Sequence, residues 1–138
     1  MADIQDKLDE LAEDFEALGS WEAQLEYVIE MGRALKPLSE AEHVDDNKVR
    51  GCASQLWMVS DRLADGGLEF RADADAIISK GLAAVVINLV SGRPAAEIRD
   101  FDLKGAFERL GLPKLSMSRA SGLASMAARV KAEAAAAA

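Results

Sequence analysis

The chain has 138 residues, half of them hydrophobic and 29% charged, with a formal net charge of −8. This length suits one domain around a single hydrophobic core, and the negative charge argues against proteins that bind nucleic acid by neutralising phosphates. One cysteine and one histidine exclude an internal disulfide, a CxxC redox pair and a structural zinc site, which needs about four such ligands.

The sequence predicts neither a membrane-spanning segment nor a signal peptide. No stretch reaches the ~20 apolar residues that a membrane span needs, and residues 1–6 are acidic, unlike the basic start of a signal peptide. We therefore expect a protein of the reducing cytoplasm that does not bind membranes.

Two amphipathic helices are predicted at the start of the chain. The first covers residues 3–18, where apolar residues recur at steps of three and four, and it ends at Gly19. Ser20 is the predicted N-cap of the second helix, which runs to about Leu35 and stops before Pro37. Their apolar stripes indicate a helical hairpin that packs against the rest of the domain.

A β-hairpin is predicted after an acidic loop. Residues 36–48 have no sustained period and indicate an exposed loop with a single helical turn. Residues 55–63 are β-favouring, residues 65–67 supply a turn, and residues 68–73 alternate apolar and polar side chains. Cys52 lies just ahead of the first strand.

The third predicted helix is the most apolar and is expected at the centre of the domain. Its apolar face runs over residues 77–89, and Gly92 is the predicted stop. Asp73 or Asp75 is expected to cap its N-terminus. Pro94 is expected to open a short turn of helix.

Two further helices complete the predicted fold. Asp102 is the N-cap of one, which is expected to stop at Gly111 and Pro113, and the last begins near residues 116–118 and passes Val130. The alanine-rich residues 134–138 are expected to form a frayed helix end. We therefore predict one domain, residues 1–133, followed by this tail, with an α+β fold in which helices pack around a small antiparallel sheet.

The residue expected to carry the chemistry is Cys52, in the segment V-R-G-C-A-S-Q-L-W at residues 49–57. A lone cysteine is by default a small buried hydrophobic residue. Here Gly51 permits the backbone angles of a tight loop tip, and Arg50 and Lys48 are cationic neighbours that favour the nucleophilic thiolate. With a single thiol, any covalent chemistry must be completed by another molecule.

Two other thiol functions compete with this one. A Cys/His hydrolase would use His43 as the base for Cys52, but His43 lies in the charged stretch 40–46, where a solvated surface residue is expected. A scaffold that assembles clusters on itself needs more ligands, because an iron–sulfur cluster of the usual type takes about four cysteines. The hydrolase remains the alternative.

The motif V-x-G-C-x-S-Q-x-W at residues 49–57 resembles the signature of the SufE family, the sulfur acceptors that serve cysteine desulfurases in iron–sulfur cluster assembly. Residues 73–82 and 110–126 resemble two further blocks of that family, and Trp21 falls where similar proteins carry tryptophan. Met117 stands where many relatives have proline, a departure that removes no chemistry. The CsdE subfamily shares these motifs, so the choice between the two remains open.

The resemblance implies a SufE/NifU-like fold and a persulfide relay. A pyridoxal-phosphate desulfurase (SufS- or CsdA-like) would hold sulfur as a persulfide, and Cys52 would attack its outer sulfur. A SufB-like cluster scaffold would then receive that sulfur. The protein would be an accessory sulfurtransferase subunit without turnover of its own, and would need no cofactor or metal. We expect Cys52 to pack inward in the free protein and to swing out on docking.

Several residues are expected to support Cys52 or to contact the partner. Arg119 matches the family's Ser-Arg pair, and its guanidinium would support the thiolate, contact a partner carboxylate or form a surface ion pair. Gln55 and Ser54 would bond the loop backbone or the partner, and Asp75 is expected chiefly as a helix cap. The complete set comprises Arg119, Gln55, Ser54, Gly51, Arg50 and Asp75.

Overall fold

A computed structural model of the protein describes residues 3–51, 55–116 and 120–137. In this part of the chain, seven α-helices surround a two-stranded antiparallel sheet, which confirms the predicted α+β fold. The elements in chain order are α1 (Ile4–Leu18), α2 (Trp21–Arg33), two 3₁₀ turns (Glu40–Glu42 and Asp45–Asn47), β1 (Leu56–Arg62), β2 (Leu68–Ala74), α3 (Ile77–Val90), α4 (Ala95–Asp100), α5 (Leu103–Arg109), α6 (Leu112–Ser116) and α7 (Ala120–Ala137).

Local signals set the ends of α1 and α2. The Asp3 side chain caps α1, and Gly19 ends it in the left-handed region with φ of 77°, a conformation that glycine adopts without steric cost. The Ser20 hydroxyl accepts a hydrogen bond from the first turn of α2, as predicted. The second helix ends at Arg33, so the expected extension to Leu35 is wrong.

Helix α3 is the centre of the domain, as its composition predicts. It is buried along most of its length, with α2 packed against one side and β2 against another. Gly32 of α2 and Gly81 of α3 permit a close approach, because a Cβ added to Gly32 would lie 2.7 Å from the Gly81 nitrogen. The predicted apolar core is therefore built on this helix.

The hairpin of β1 and β2 has the predicted antiparallel pairing, with Leu56 opposite Ala74 and Arg62 opposite Leu68. Side chains alternate between the two faces of a strand. The inward-facing positions are buried along most of β2 and in the first half of β1, and they join the core over α3. The hairpin thereby places the start of β1, which closely follows Cys52 in the chain, at the margin of the core.

Two expectations about helix ends are wrong. The N-cap of α3 is Ala76, which has no capping side chain, because Asp73 and Asp75 make other bonds described below. Helix α7 continues to Ala137, and Ala134 is fully buried. The predicted frayed end is thus packed helix, since α7 lies against α4 and covers the core there.

The segment between α5 and α7 differs from the prediction as well. Residues 112–116 form the short helix α6, whereas Gly111 and Pro113 indicate only a stop. Proline is tolerated in the first turn of a helix because the amide protons there need no partner within the helix.

Across residues 3–51, 55–116 and 120–137, none of the helices combines the length and apolar character needed to cross a membrane.

Candidate functional site

The segment that contains Cys52 connects two paired stretches of backbone. The Val49 N–H donates to the Leu56 carbonyl over 2.8 Å, and Lys48 pairs with Trp57 across an antiparallel bridge. Residues 50–55, here called the thiol segment, join these stretches. Cys52, Ser54 and Arg119 lie outside the described residues, so the site is built from the groups around them.

Gly51, near the start of the thiol segment, has a backbone conformation that strongly favours glycine. Its φ is 90°, and a Cβ at this position would collide with the Ser125 hydroxyl of α7. Both facts disfavour larger side chains, because positive φ strains L-residues and the Ser125 side chain would have to shift. Gly51, Arg50 and Gln55 are exposed, so described residues on both sides of Cys52 reach solvent.

Asp75 holds the other end of the thiol segment. Its carboxylate Oδ1 accepts a hydrogen bond from the Gln55 N–H at 3.0 Å, and its own N–H donates to the Gln55 carbonyl at 3.1 Å. The expectation that Asp75 caps α3 is therefore wrong. The side chain is directed at the thiol segment instead, and it ties the start of β1 to the end of β2.

Arg129 of α7 bonds the base of the thiol segment, which is the backbone just before and just after it. Its guanidinium donates to three backbone carbonyls, those of Lys48 (3.1 Å), Asp46 (3.3 Å) and Met58 (3.2 Å), and its Nε donates to Glu133 (2.9 Å). Sequence reasoning missed this residue. The only signal was an arginine four residues before a glutamate on a helix, a spacing equally typical of surface ion pairs.

His43 is part of a bonded network and is not the solvated residue that was expected. Its Nε2 lies 2.8 Å from Asp73 and its Nδ1 lies 2.7 Å from the Ser39 carbonyl, while the ring packs edge-on against Trp57 at 4.8 Å. The side chain is 28% exposed. The expectation of a solvated histidine is wrong because β2 supplies a carboxylate directly opposite it.

The same contacts favour the protonated form of His43. Both ring nitrogens lie within hydrogen-bond distance of acceptors, and the hydrogen bond to Asp73, followed by the one to the Ser39 carbonyl, raises the pKa of the imidazole. Burial raises the pKa of Asp73, but the bonds from His43, the Ala74 N–H and Lys80 more than offset this and leave it lowered. An imidazole whose two ring nitrogens both face acceptors leaves no nitrogen free to take a proton from Cys52. The geometry therefore disfavours the Cys/His hydrolase.

A second ionic contact fastens the acidic stretch that leads to the thiol segment. Arg71 of β2 donates to both oxygens of Glu42, at 3.0 and 2.6 Å, and to Asp61 at 3.1 Å. These bonds from Arg71, with the Ser39 N–H, lower the pKa of Glu42 to about 2. The stretch predicted as one exposed loop is two 3₁₀ turns tied to the sheet.

The described residues contain no cluster of three or more His, Cys, Asp or Glu side chains arranged to hold a metal ion. The thiol segment carries the sequence's one cysteine, Cys52. Lys48 lies close to it in the chain and pairs with Asp45 at 3.6 Å. The site is thus a thiol-bearing segment fixed at both ends and exposed at its described margins.

The family comparison agrees with the motif at this segment. The SufE model, described as an Fe-S metabolism associated domain, matches residues 9–134. The chain belongs to the SufE family. The resemblance predicted from residues 49–57 is confirmed, and the family associates the protein with iron–sulfur metabolism.

Two relatives and one solved structure extend the comparison. An uncharacterized SufE-like protein of Rhizobium etli is 43% identical over 131 residues, which cover 92% of this chain and 88% of that protein. A second SufE-like protein, from Rhizobium meliloti, is 42% identical over 131 residues, which cover 92% of this chain and 94% of that protein. The solution structure of a hypothetical protein from Thermus thermophilus has a TM-score of 0.77 at 17% identity, over 95% of both chains, which shows a common fold.

Proposed function

We propose that this SufE-family protein accepts sulfur on Cys52 from a cysteine desulfurase and delivers it to an iron–sulfur cluster scaffold. The observation that carries the proposal is the thiol segment itself. It contains the one cysteine of a chain matched by the SufE model over residues 9–134, and its two ends are fastened while Arg50, Gly51 and Gln55 are exposed. Functional residues on a surface segment held by a rigid scaffold are common.

The transfer is a thiol–persulfide exchange. The Cys52 thiolate attacks the outer sulfur of the desulfurase's cysteine persulfide. One S–S bond forms, one breaks, and the desulfurase cysteine leaves as a thiolate, so no external oxidant or reductant is consumed. A second exchange, with a cysteine of a SufB-like scaffold, unloads Cys52. Pyridoxal phosphate belongs to the desulfurase, a SufS- or CsdA-like enzyme.

Exposed apolar side chains next to the thiol segment support a docking role. Ile77 is 60% exposed and lies two residues after Asp75, which bonds Gln55. Val44, beside His43, is 44% exposed. Large apolar side chains exposed around a functional segment are suited to a protein partner, since docking removes them from water.

Because a persulfide is labile to reductants, we propose that Cys52 packs inward in the free protein and swings out when the desulfurase docks. Arg119 is proposed to support the thiolate or to bond a partner carboxylate, and Ser54 to bond the loop backbone or the partner. A direct test is the rate at which iodoacetamide alkylates Cys52. We expect slow alkylation of the free protein and faster alkylation once a desulfurase without substrate is added.

The principal test is sulfur loading measured by intact mass. The protein is incubated with a cysteine desulfurase, cysteine and pyridoxal phosphate, and we expect a mass gain of one sulfur atom that Cys52→Ser abolishes. The double variant Cys52→Ser/Ala135→Cys is the matched control. It places a thiol at an exposed position on α7 and is expected to remain unloaded. If Cys52→Ser stimulated desulfurase turnover as strongly as the wild type, the relay would be disproved.

A further inference from the structure

Arg129 is the one side chain in the described residues that bonds backbone on both sides of the thiol segment. The carbonyls of Asp46 and Lys48 precede that segment, and the carbonyl of Met58 follows it. The Arg129 side chain is only 20% exposed, and Glu133 at 2.9 Å balances its charge. Hydrogen bonds from a charged group are stronger than neutral ones, and partial burial reduces competition from water.

The neighbouring turns of α7 meet the same edge of the hairpin. Ser125, one turn before Arg129, fills the space beneath Gly51. Glu133, one turn after it, accepts a hydrogen bond from the Ser60 hydroxyl at 3.0 Å. Positions four residues apart lie on one helix face. One face of α7 therefore contacts the thiol segment, its base and β1 in succession.

We propose that Arg129 is a positioning residue that holds the backbone before and after the thiol segment in one arrangement, so that docking of the desulfurase does not have to order it. This inference rests on the proposed sulfur transfer. A planar guanidinium can bond carbonyls of two chain segments at once, whereas the ammonium of lysine is a compact point charge. Without this clamp the segment ends sample more arrangements, and docking must order them at a cost in affinity.

The test compares Arg129→Met and Arg129→Lys with the wild type. Arg33→Met is the matched control, because Arg33 is an exposed arginine whose ion-pair partner is Glu30 on its own helix. Two quantities are measured in folded protein. They are the exchange rate of the Val49 amide proton and desulfurase stimulation as a function of concentration.

For Arg129→Met we expect exchange of the Val49 amide to become about tenfold faster, because opening at the base of the thiol segment becomes easier. The Gly66 amide, which donates to Leu63 at the far end of the hairpin, is expected to keep its rate. The concentration for half-maximal stimulation is expected to rise about fivefold with the maximal rate within about twofold, since only the ordering step is affected. Arg129→Lys is expected to show a partial loss.

The proposal is overturned if Val49 exchange and half-maximal stimulation are unchanged in Arg129→Met, or if Arg129→Lys equals the wild type. If Arg129→Met does not fold, Arg129→Lys carries the comparison. The amide-exchange measurement needs no desulfurase. A wild-type protein that takes up no sulfur would therefore reject the proposed function while the clamp was still tested.

Discussion

The α1–α2 hairpin and the region around the thiol segment are held in different ways. The first is fixed by apolar side chains such as Ile4, Leu8 and Phe15, and by caps from neighbouring residues. The second is fixed by polar contacts between residues far apart in the chain, including His43 with Asp73 over 30 positions. A hydrophobic core tolerates exchanges between apolar side chains of similar volume. Removing one partner of a shielded polar contact, by contrast, leaves the other partner unsatisfied.

Charge is used differently in the two regions. Ten of the 24 acidic residues and one of the 16 basic residues lie between residues 3 and 30, which leaves 14 acidic and 15 basic residues in the rest. Most charges of the first group face solvent, where ion pairs contribute little to stability. Arg129, by contrast, is directed at backbone carbonyls. The excess charge is thus carried by the α1–α2 hairpin, and the organising charges lie around the thiol segment.

The largest effect on stability is expected from the core that both regions share. Leu82→Ala on α3, where Leu82 is fully buried, should lower the free energy of unfolding by about 2–5 kcal/mol through lost burial and a cavity. Ile77→Ala on the same helix is the control, because Ile77 is mostly exposed, and a change within ~0.5 kcal/mol is expected. Urea unfolding measures both, and equal losses would contradict the assigned core.

A smaller effect is expected at Gly51. Gly51→Ala should destabilise the protein by about 1–2 kcal/mol from positive φ alone, with a further loss from the collision with Ser125. Gly66→Ala is the matched control, since Gly66 has the same φ of 90° with open space around it. Adding Ser125→Ala should relieve part of the Gly51→Ala loss. We expect Gly51→Ala, and not Gly66→Ala, to slow sulfur loading; the same rate in both would contradict a special role for Gly51.

The smallest effect is expected from the pH dependence of the His43 network. The folded pKa of His43 is raised, so its contribution to stability is fully present below the unfolded pKa of ~6.5 and is lost as pH rises through the folded value. The wild type should therefore exceed His43→Gln in stability by more at pH 6 than at pH 9. A difference that did not change with pH would contradict a charged His43 in the native state.

The stability contribution of Glu42 depends on pH in the acid range, well below the range in which His43 titrates. Its pKa is lowered to about 2, so its contribution is present above the unfolded pKa of ~4.3 and is lost as pH falls toward 2. Arg71→Met should remove this acid dependence and leave the dependence on His43 in place. Urea unfolding of the wild type and of Arg71→Met at pH 2–5 measures this difference in acid dependence.

The sequence by itself determined most of the elements, and the family, of this protein. The α1–α2 hairpin, the β-hairpin and the buried α3 follow from apolar periodicity and from caps such as Ser20, all of which act within a few residues. The motif around Cys52 was enough to identify the SufE family, because a motif consists only of residue types and their spacing and needs no tertiary contact to be recognised.

Only the tertiary structure decided which polar side chains serve the thiol segment. Asp75 suits a helix cap and a segment anchor equally well by sequence, and its bond to Gln55 spans 20 positions. The three carbonyls that Arg129 reaches lie 71 to 83 positions away. Backbone carbonyls occur at every residue and carry no signature in the sequence. Which carbonyls the partly buried Arg129 side chain reaches therefore depends on how α7 and the β-hairpin pack, and not on a local sequence pattern.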